Sequence, residues 1–152
     1  MVGKVTEIDC KKVIARKILE ALPDWFGIPE AREEYISDSI HQQFYVAMEH
    51  KIPIGFLCLK ETGKDTVELA VMGVLKEFHR HGIGRELFNV ARNDATEMGY
   101  SFLQVKTVQL GRYKEYDVTN KFYISLGFKE FEIFPTLWDK QNPCQVYVMS
   151  FI

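Results

Sequence analysis

Residues 71–88 read VMGVLKEFHRHGIGRELF, and the rest of the chain is read outward from them. An apolar, β-like run with Val67, Leu69, Val71, Val74 and Leu75 leads into a polar turn holding Gly82-Ile83-Gly84. Behind the turn, Ile83, Leu87, Val90 and Ala91 recur at the spacing of one helical face. A strand, a glycine turn and a helix N-terminus together make an anion site. Backbone N–H groups without helical partners converge there, and the helix dipole adds positive potential. Glycine lets the backbone come close to the anion. The stretch therefore predicts a protein that binds a phosphorylated ligand.

Composition narrows the choices. A chain of 152 residues fits one domain, spanning 1–152, with a sizeable core. A hydrophobic fraction of 47% and an aromatic fraction of 13% describe a globular chain. The net charge of −2 argues against a dedicated nucleic-acid binder. No apolar run is long enough to span a bilayer, and MVGKVTEIDCKKV lacks the pattern of a secretory signal, so a cytoplasmic protein without a membrane partner is expected. Cys10, Cys58 and Cys144 are odd in number and far apart, which suggests reduced thiols. His79 and His81 have no third ligand nearby in sequence, so no metal is expected.

Along the chain, Lys4–Glu7 reads as a strand. Asp9 caps a helix running through Leu22, with Val13, Ile14, Ile18, Leu19 and Leu22 on one face. Pro23 ends that helix. Asp24-Trp25-Phe26-Gly27-Ile28-Pro29 reads as a shaped loop, and Glu30–Ser39 as a helix. Strands follow at Phe44–Met48, Ile52–Lys60 and Thr66–Leu75, then the glycine turn and a helix to Met98 capped by Gly99. Phe102–Val108 is a strand, Leu110–Asp117 irregular, and Val118–Leu126 a helix closed by Gly127. Phe128–Phe134 and Cys144–Ile152 are strands joined by a loop over Pro135–Pro143. The order β-α-α-β-β-β-α-β-α-β-β implies a mixed sheet covered by helices. The apolar segment Val146–Phe151 could lie at an edge and pair with a second subunit to make a homodimer.

A strand, a Gly-x-Gly turn and a helix occur in several folds. No Gly-Lys-Ser/Thr follows as in a Walker A loop, and Leu87 occupies the third glycine position of a dinucleotide fingerprint. His79-Arg80-His81-Gly82-Ile83-Gly84 instead resembles the Arg/Gln-x-x-Gly-x-Gly/Ala signature of the GCN5-related N-acetyltransferase (GNAT) superfamily. Phe122-Tyr123-Ile124-Ser125-Leu126-Gly127-Phe128 resembles its second signature, an aromatic-Tyr pair shortly before Gly-Phe. The two occur in the family's order, and the resemblance covers nearly the whole chain. His79 stands where the family has Arg or Gln; a neutral histidine still offers an N–H there, without the fixed charge. Leu22-Pro23-Asp24-Trp25-Phe26-Gly27 and Trp138 with Asn142-Pro143-Cys144 are similar to segments of small bacterial-type members.

The resemblance implies an α/β (α+β) GNAT fold: a mixed, mostly antiparallel sheet of about six to seven strands flanked by about four helices. It implies acetyl-coenzyme A as cosubstrate, with no metal. His79, Arg80, His81, Gly82, Ile83, Gly84 and Arg85 would hold the pyrophosphate. Backbone groups of Met72, Gly73 and Val74 would pair with the pantetheine arm like an added strand. Gly73 reads as a bulge in its strand.

Tyr123 is the candidate proton donor to the departing thiolate; the competing reading packs it with Phe122, Phe128 and Phe131. Glu68 is the candidate base, or else a solvated strand carboxylate. Asn120 shares a helix face with Tyr123 and either contacts the coenzyme or, with Thr119, caps the helix. Trp25, Phe26 and Trp138 are candidates for the acceptor site; hydrophobic corner packing competes for one of the first two rings. The expected activity is transfer of an acetyl group to a primary amine of a small molecule or peptide. The alternative is a non-catalytic acyl-coenzyme A sensor or complex subunit.

Overall fold

A computed structural model describes residues 1–151. Seven strands form one mixed sheet: β1 (Val2–Val5), β2 (Gln43–Glu49), β3 (Ile52–Gly63), β4 (Thr66–Val74), β5 (Phe102–Val108), β6 (Lys129–Asp139) and β7 (Asn142–Ser150). Their order is β1-β2-β3-β4-β5-β7-β6. The helices are α1 (Ile8–Glu20), α2 (Pro23–Phe26), α3 (Pro29–Ser39), α4 (Ile83–Glu97) and α5 (Lys114–Leu126). The expected α+β class holds, with a fifth helix. By compactness the chain divides into two units, Met1–Lys60 with Leu69–Met98, and Glu61–Glu68 with Gly99–Ile152.

In the first unit, β1 and β2 pair antiparallel from Val2 opposite Ala47 to Val5 opposite Phe44. β2 and β3 form a hairpin whose turn puts His50 and Lys51 at positive φ. Phe44 and Phe56 stack beneath it with ring centroids 5.2 Å apart. Ile14, Ile18 and Leu19 of α1 and Leu87, Phe88, Ala91 and Ala95 of α4 are buried, as their helical spacing requires. Val13, expected on the buried face of α1, is exposed. Glu7 rather than Asp9 sits at the N-cap of α1. Pro23 does not simply end a helix: it opens the one-turn α2, a position its fixed φ suits.

Gly73 has a packing reason. A Cβ there would lie 2.9 Å from Ile18 Cγ2 and 3.0 Å from Leu22 Cδ1, so α1 rests directly on the backbone of β4. The hydroxyl of buried Tyr45 donates to Asp94, which Lys4 Nζ also meets at 2.7 Å. That pair of bonds joins β1 and β2 to α4.

In the second unit, β7 pairs antiparallel with β5 on one side and β6 on the other. It is an interior strand. The expectation of an edge at Val146–Phe151 is therefore wrong, and its apolar run is the mark of a strand flanked on both sides. Ile152, which that strand was expected to include, lies outside the described residues. The edge belongs to β6. The loop expected over Pro135–Pro143 is also corrected. β6 continues to Asp139 and turns through Lys140 and Gln141, with Asp139 Oδ1 accepting the amides of Gln141 and Asn142, both at 2.9 Å. Pro135 is tolerated because an edge strand needs hydrogen bonds on one side only. α5 begins at Lys114, four residues before the expected start, and closes at Gly127 with φ 106°.

Candidate functional site

β4 ends at Val74 and a 3-10 turn, Lys76–Phe78, leads into the glycine turn. Arg80 and Gly82 both take left-handed backbone conformations, φ 66° and 77°. Gly82 is the N-cap of α4, and the first intrahelical bond runs from Glu86 N–H to its carbonyl at 3.0 Å. The amides of Ile83 and Gly84 therefore precede the helical ladder, so no intrahelical carbonyl serves them. A Cβ at Gly82 would meet nothing within 4 Å, which leaves open space over the turn. Alternating backbone hand followed by the N-terminus of a fifteen-residue helix is a concave array of donors suited to an anion. Arg80, His81 and Arg85 stand on the same turn. This is the turn at which the family resemblance implies a pyrophosphate.

His79 bonds to the end of β4. Its Nε2 lies 2.7 Å from the Val74 carbonyl. A carbonyl only accepts, so Nε2 carries the proton and donates it to the end of β4. The ring also meets Trp25 edge-on, at 5.8 Å between centroids. Lys76 Nζ lies 5.9 Å from the Trp25 ring centroid and pairs with Asp24 at 2.6 Å. Trp25, expected at the acceptor site, and His79, expected at the coenzyme site, are thus brought together within one unit. Phe26 turns the other way and packs edge-on against Tyr35 at 5.7 Å, while its carbonyl accepts from Arg32 Nη1. Gly27 is required by close approach: a Cβ would lie 2.7 Å from the Pro23 carbonyl oxygen. Asp24 and Lys76 carried no signal in the sequence, since a charge in a polar segment reads as solvated.

The remaining candidates lie in the second unit. Tyr123 is 8% exposed and packs against Phe128, Phe122 and Tyr147, with centroids 5.8, 6.0 and 6.3 Å away. Phe131, offered as a further packing neighbour, is 64% exposed instead. Asn120, one turn earlier, is fully buried. Its Nδ2 donates to the carbonyls of Val108 at 2.8 Å and Tyr116 at 2.7 Å, and its Oδ1 accepts from Tyr147 Oη at 2.6 Å. Both amide hydrogens are used inside the protein, so the side chain ties α5 to β5 and β7. With α5 starting at Lys114, neither Thr119 nor Asn120 caps it.

Glu68 is not a solvated carboxylate. It is 7% exposed, accepts from Lys106 Nζ at 3.0 Å, and has Gln104 Nε2 at 3.5 Å. Donors of this kind offset the cost of taking a carboxylate out of water. Lys106 was missed because nothing in the sequence pairs residues 38 apart. Trp138 stands on β6, not in a loop, and is about half exposed. Cys58 and Cys144 are buried, as expected, and burial pushes the thiol of each up from its usual range. Among the described residues, no group of His, Cys, Asp and Glu could hold a metal ion, and no helix is long and apolar enough to cross a membrane.

Comparison with known proteins identifies the family and the fold. The acetyltransferase (GNAT) domain family matches residues 40–130, which include β4, the glycine turn and α5. A protein of the GNAT family from Desulfovibrio desulfuricans superposes with a TM-score of 0.84 at 17% identity, covering 99% of this chain and 98% of that one. An aminoglycoside 6'-N-acetyltransferase complexed with coenzyme A superposes at 0.80 and 16% identity, covering 100% and 97%. IAA acetyltransferase from Bacillus cereus superposes at 0.75 and 20% identity, covering 99% of each chain. At these identities the likeness is one of fold. No curated protein matches the sequence.

Proposed function

The chain belongs to the acetyltransferase (GNAT) family, and from that premise we propose that it is an N-acetyltransferase using acetyl-coenzyme A to acetylate a primary amine of a small molecule or peptide. Residues 1–152 act as one catalytic domain in a reducing, cytoplasmic setting; the three free cysteines support this. The observation that carries the proposal is the turn His79–Arg85, whose amides, left-handed residues and arginines suit a pyrophosphate. That one of the superposing acetyltransferases was crystallised with coenzyme A supports the same ligand here.

Acetyl-coenzyme A supplies an activated thioester. The amine nitrogen attacks its carbonyl carbon, the carbon–sulfur bond breaks, and the sulfur leaves as a thiol once protonated. The roles assigned here follow family membership. Arg80, His81, Gly82, Ile83, Gly84 and Arg85 bind the pyrophosphate, and the backbone of Met72, Gly73 and Val74 serves the pantetheine arm. His79 acts by holding the Val74 carbonyl. Tyr123 donates the proton that the sulfur takes. Glu68 accepts the proton the amine loses, and its contact with Lys106 holds the carboxylate in place. Trp25 and Trp138 are acceptor-side residues, and Phe26 shapes the loop that carries Trp25. Asn120 positions Tyr123 through the α5 backbone.

Calorimetric titration with coenzyme A and with inorganic pyrophosphate tests the turn. Saturable binding of both is expected, and Gly82→Val should weaken both. If coenzyme A binds tightly while no amine is ever acetylated, the non-catalytic sensor replaces the enzyme.

A further inference from the structure

The backbone of Trp25 is set by α2. The amides of Trp25 and Phe26 both donate to the Leu22 carbonyl, at 3.2 and 2.9 Å, and the Leu22 side chain is buried. Gly27 lets the same loop close on the Pro23 carbonyl. A helix of four residues is too short to hold itself, so its side chains are oriented by what they touch. Phe26 packs on Tyr35. Trp25 instead meets two groups from the segment after β4, all within one unit. One is the His79 ring, whose plane stands at 73° to the indole. The other is the Lys76 ammonium, which Asp24, next to Trp25 in the chain, holds by its carboxylate.

Lys76 and Asp24 each leave about half of the side chain in water, and an ion pair of that kind adds little to stability. Its consequence is directional: it keeps the ammonium near the indole, where the ring attracts it. His79 is anchored in its turn, because its Nε2 donates to the Val74 carbonyl at 2.7 Å. In the neutral ring the remaining nitrogen, Nδ1, only accepts. The pyrophosphate oxygens of coenzyme A also only accept. His79 therefore has no N–H left for them, whereas the amides of Ile83 and Gly84 do. What the His79 ring does present is an aromatic surface, and Trp25 is the residue that meets it.

We propose that His79 and Lys76 are positioning residues for Trp25. The anchored imidazole and the ammonium held by Asp24 fix the orientation of the indole, and through it the binding of the acceptor amine. Pyrophosphate binding is left to the rest of the turn. The inference rests on the reading of Trp25 as an acceptor-side residue. It gives the histidine at the head of the turn a role that neither arginine nor glutamine could fill, since neither carries an imidazole ring that a strand carbonyl can aim at the indole.

Trp138→Phe leaves Trp25 as the one indole, and this parent protein is used throughout, with circular dichroism as the control for folding. Time-resolved fluorescence anisotropy reads the motion of the ring. In the parent, Trp25 is expected to turn with the whole protein. His79→Gln keeps a donor but lacks the ring, and Lys76→Met keeps the length but lacks the charge. Each should add a local motion on the nanosecond scale, and Lys76→Arg should restore the parent behaviour. Calorimetric titration with inorganic pyrophosphate should give the parent affinity in His79→Gln. For the primary amine that the parent acetylates fastest, KM should rise about tenfold in His79→Gln and Lys76→Met, with kcat retained, as for the loss of one placed aromatic contact. Unmoved anisotropy in both variants overturns the proposal. So does weakened pyrophosphate binding in His79→Gln, or an amine KM unchanged in both variants while Trp25→Leu raises it. An amine KM unchanged in Trp25→Leu itself marks failure of the acceptor-side reading, and removes the proposal with it. If the parent acetylates no amine, acetyl transfer fails separately, and the anisotropy and the pyrophosphate titration decide whether His79 and Lys76 position Trp25.

Discussion

Replacing Asn120 by alanine removes the donor to the Val108 carbonyl and the acceptor for the Tyr147 hydroxyl. Val108 is 7% and Tyr147 2% exposed, so water does not readily replace either partner. The Tyr116 carbonyl loses less, because it lies in the helical ladder of α5. Each orphaned buried group costs about 1–3 kcal/mol, so Asn120→Ala should cost about 4 kcal/mol in all. For a chain of this size that lowers Tm by roughly 8–16 °C. Tyr147→Phe removes one bond and leaves the Asn120 oxygen unserved, at about 1–2 kcal/mol. The two substitutions share a bond, so the double variant should be less destabilised than the sum by about 1–2 kcal/mol. Urea unfolding followed by far-ultraviolet circular dichroism measures all four proteins, with slopes expected to stay constant and midpoints to move. Additive effects would refute the coupling. Unchanged stability in Asn120→Ala together with lost coenzyme affinity would make Asn120 a ligand residue and not a structural tie.

Three further outcomes follow from the geometry. Gly73→Ala drives a methyl against Ile18 and Leu22, and should lower stability by about 1–3 kcal/mol in the same unfolding assay. Burial alone would raise the Asp94 carboxyl, but the hydrogen bonds from Lys4 and Tyr45 outweigh it and hold the group below its ordinary 3.8. Its contribution to stability is therefore complete above about pH 4 and disappears as pH falls through the lower, folded value. The wild-type urea midpoint should drop over that acid range, and the Asp94→Asn protein should show a flatter profile. His79→Ala removes the ring beside Trp25. In a Trp138→Phe background the Trp25 emission should move to longer wavelength as the indole gains water; an unmoved spectrum would show that the contact does not exist in solution.

The parts of the fold that sequence revealed are those governed by local rules. α4 was legible because Ile83, Leu87 and Ala91 repeat at helical spacing behind a glycine turn. Gly127 marked the end of α5 because only a residue tolerant of positive φ closes a helix that way. The misreadings have equally local causes. Pro135 inside an apolar run looked like a loop, although an edge strand accepts proline. The apolar segment after Pro143 suits an edge and an interior strand alike, and such a run more often marks a strand flanked on both sides. At the site, the glycine turn and Tyr123 were legible as motifs. The Val74 carbonyl under His79, the Trp25 ring beside it, and Lys106 on Glu68 were not. Lys106 and Glu68 stand 38 residues apart on two strands, Trp25 comes from α2, and the five residues from Val74 to His79 match no recurrent spacing that would announce the bond. His79 shows the consequence: judged by its motif position it is a weak substitute for arginine, whereas its N–H is committed to the strand end.

The most direct test of the account is release of free thiol from acetyl-coenzyme A in the presence of a panel of primary amines, for the wild-type protein and Tyr123→Phe. The account predicts amine-dependent thiol release by the wild type, an acetylated product of matching mass, and a turnover lowered about 10²–10⁴-fold in Tyr123→Phe with coenzyme affinity retained. Release without amine dependence, or equal turnover in the two proteins, would contradict it.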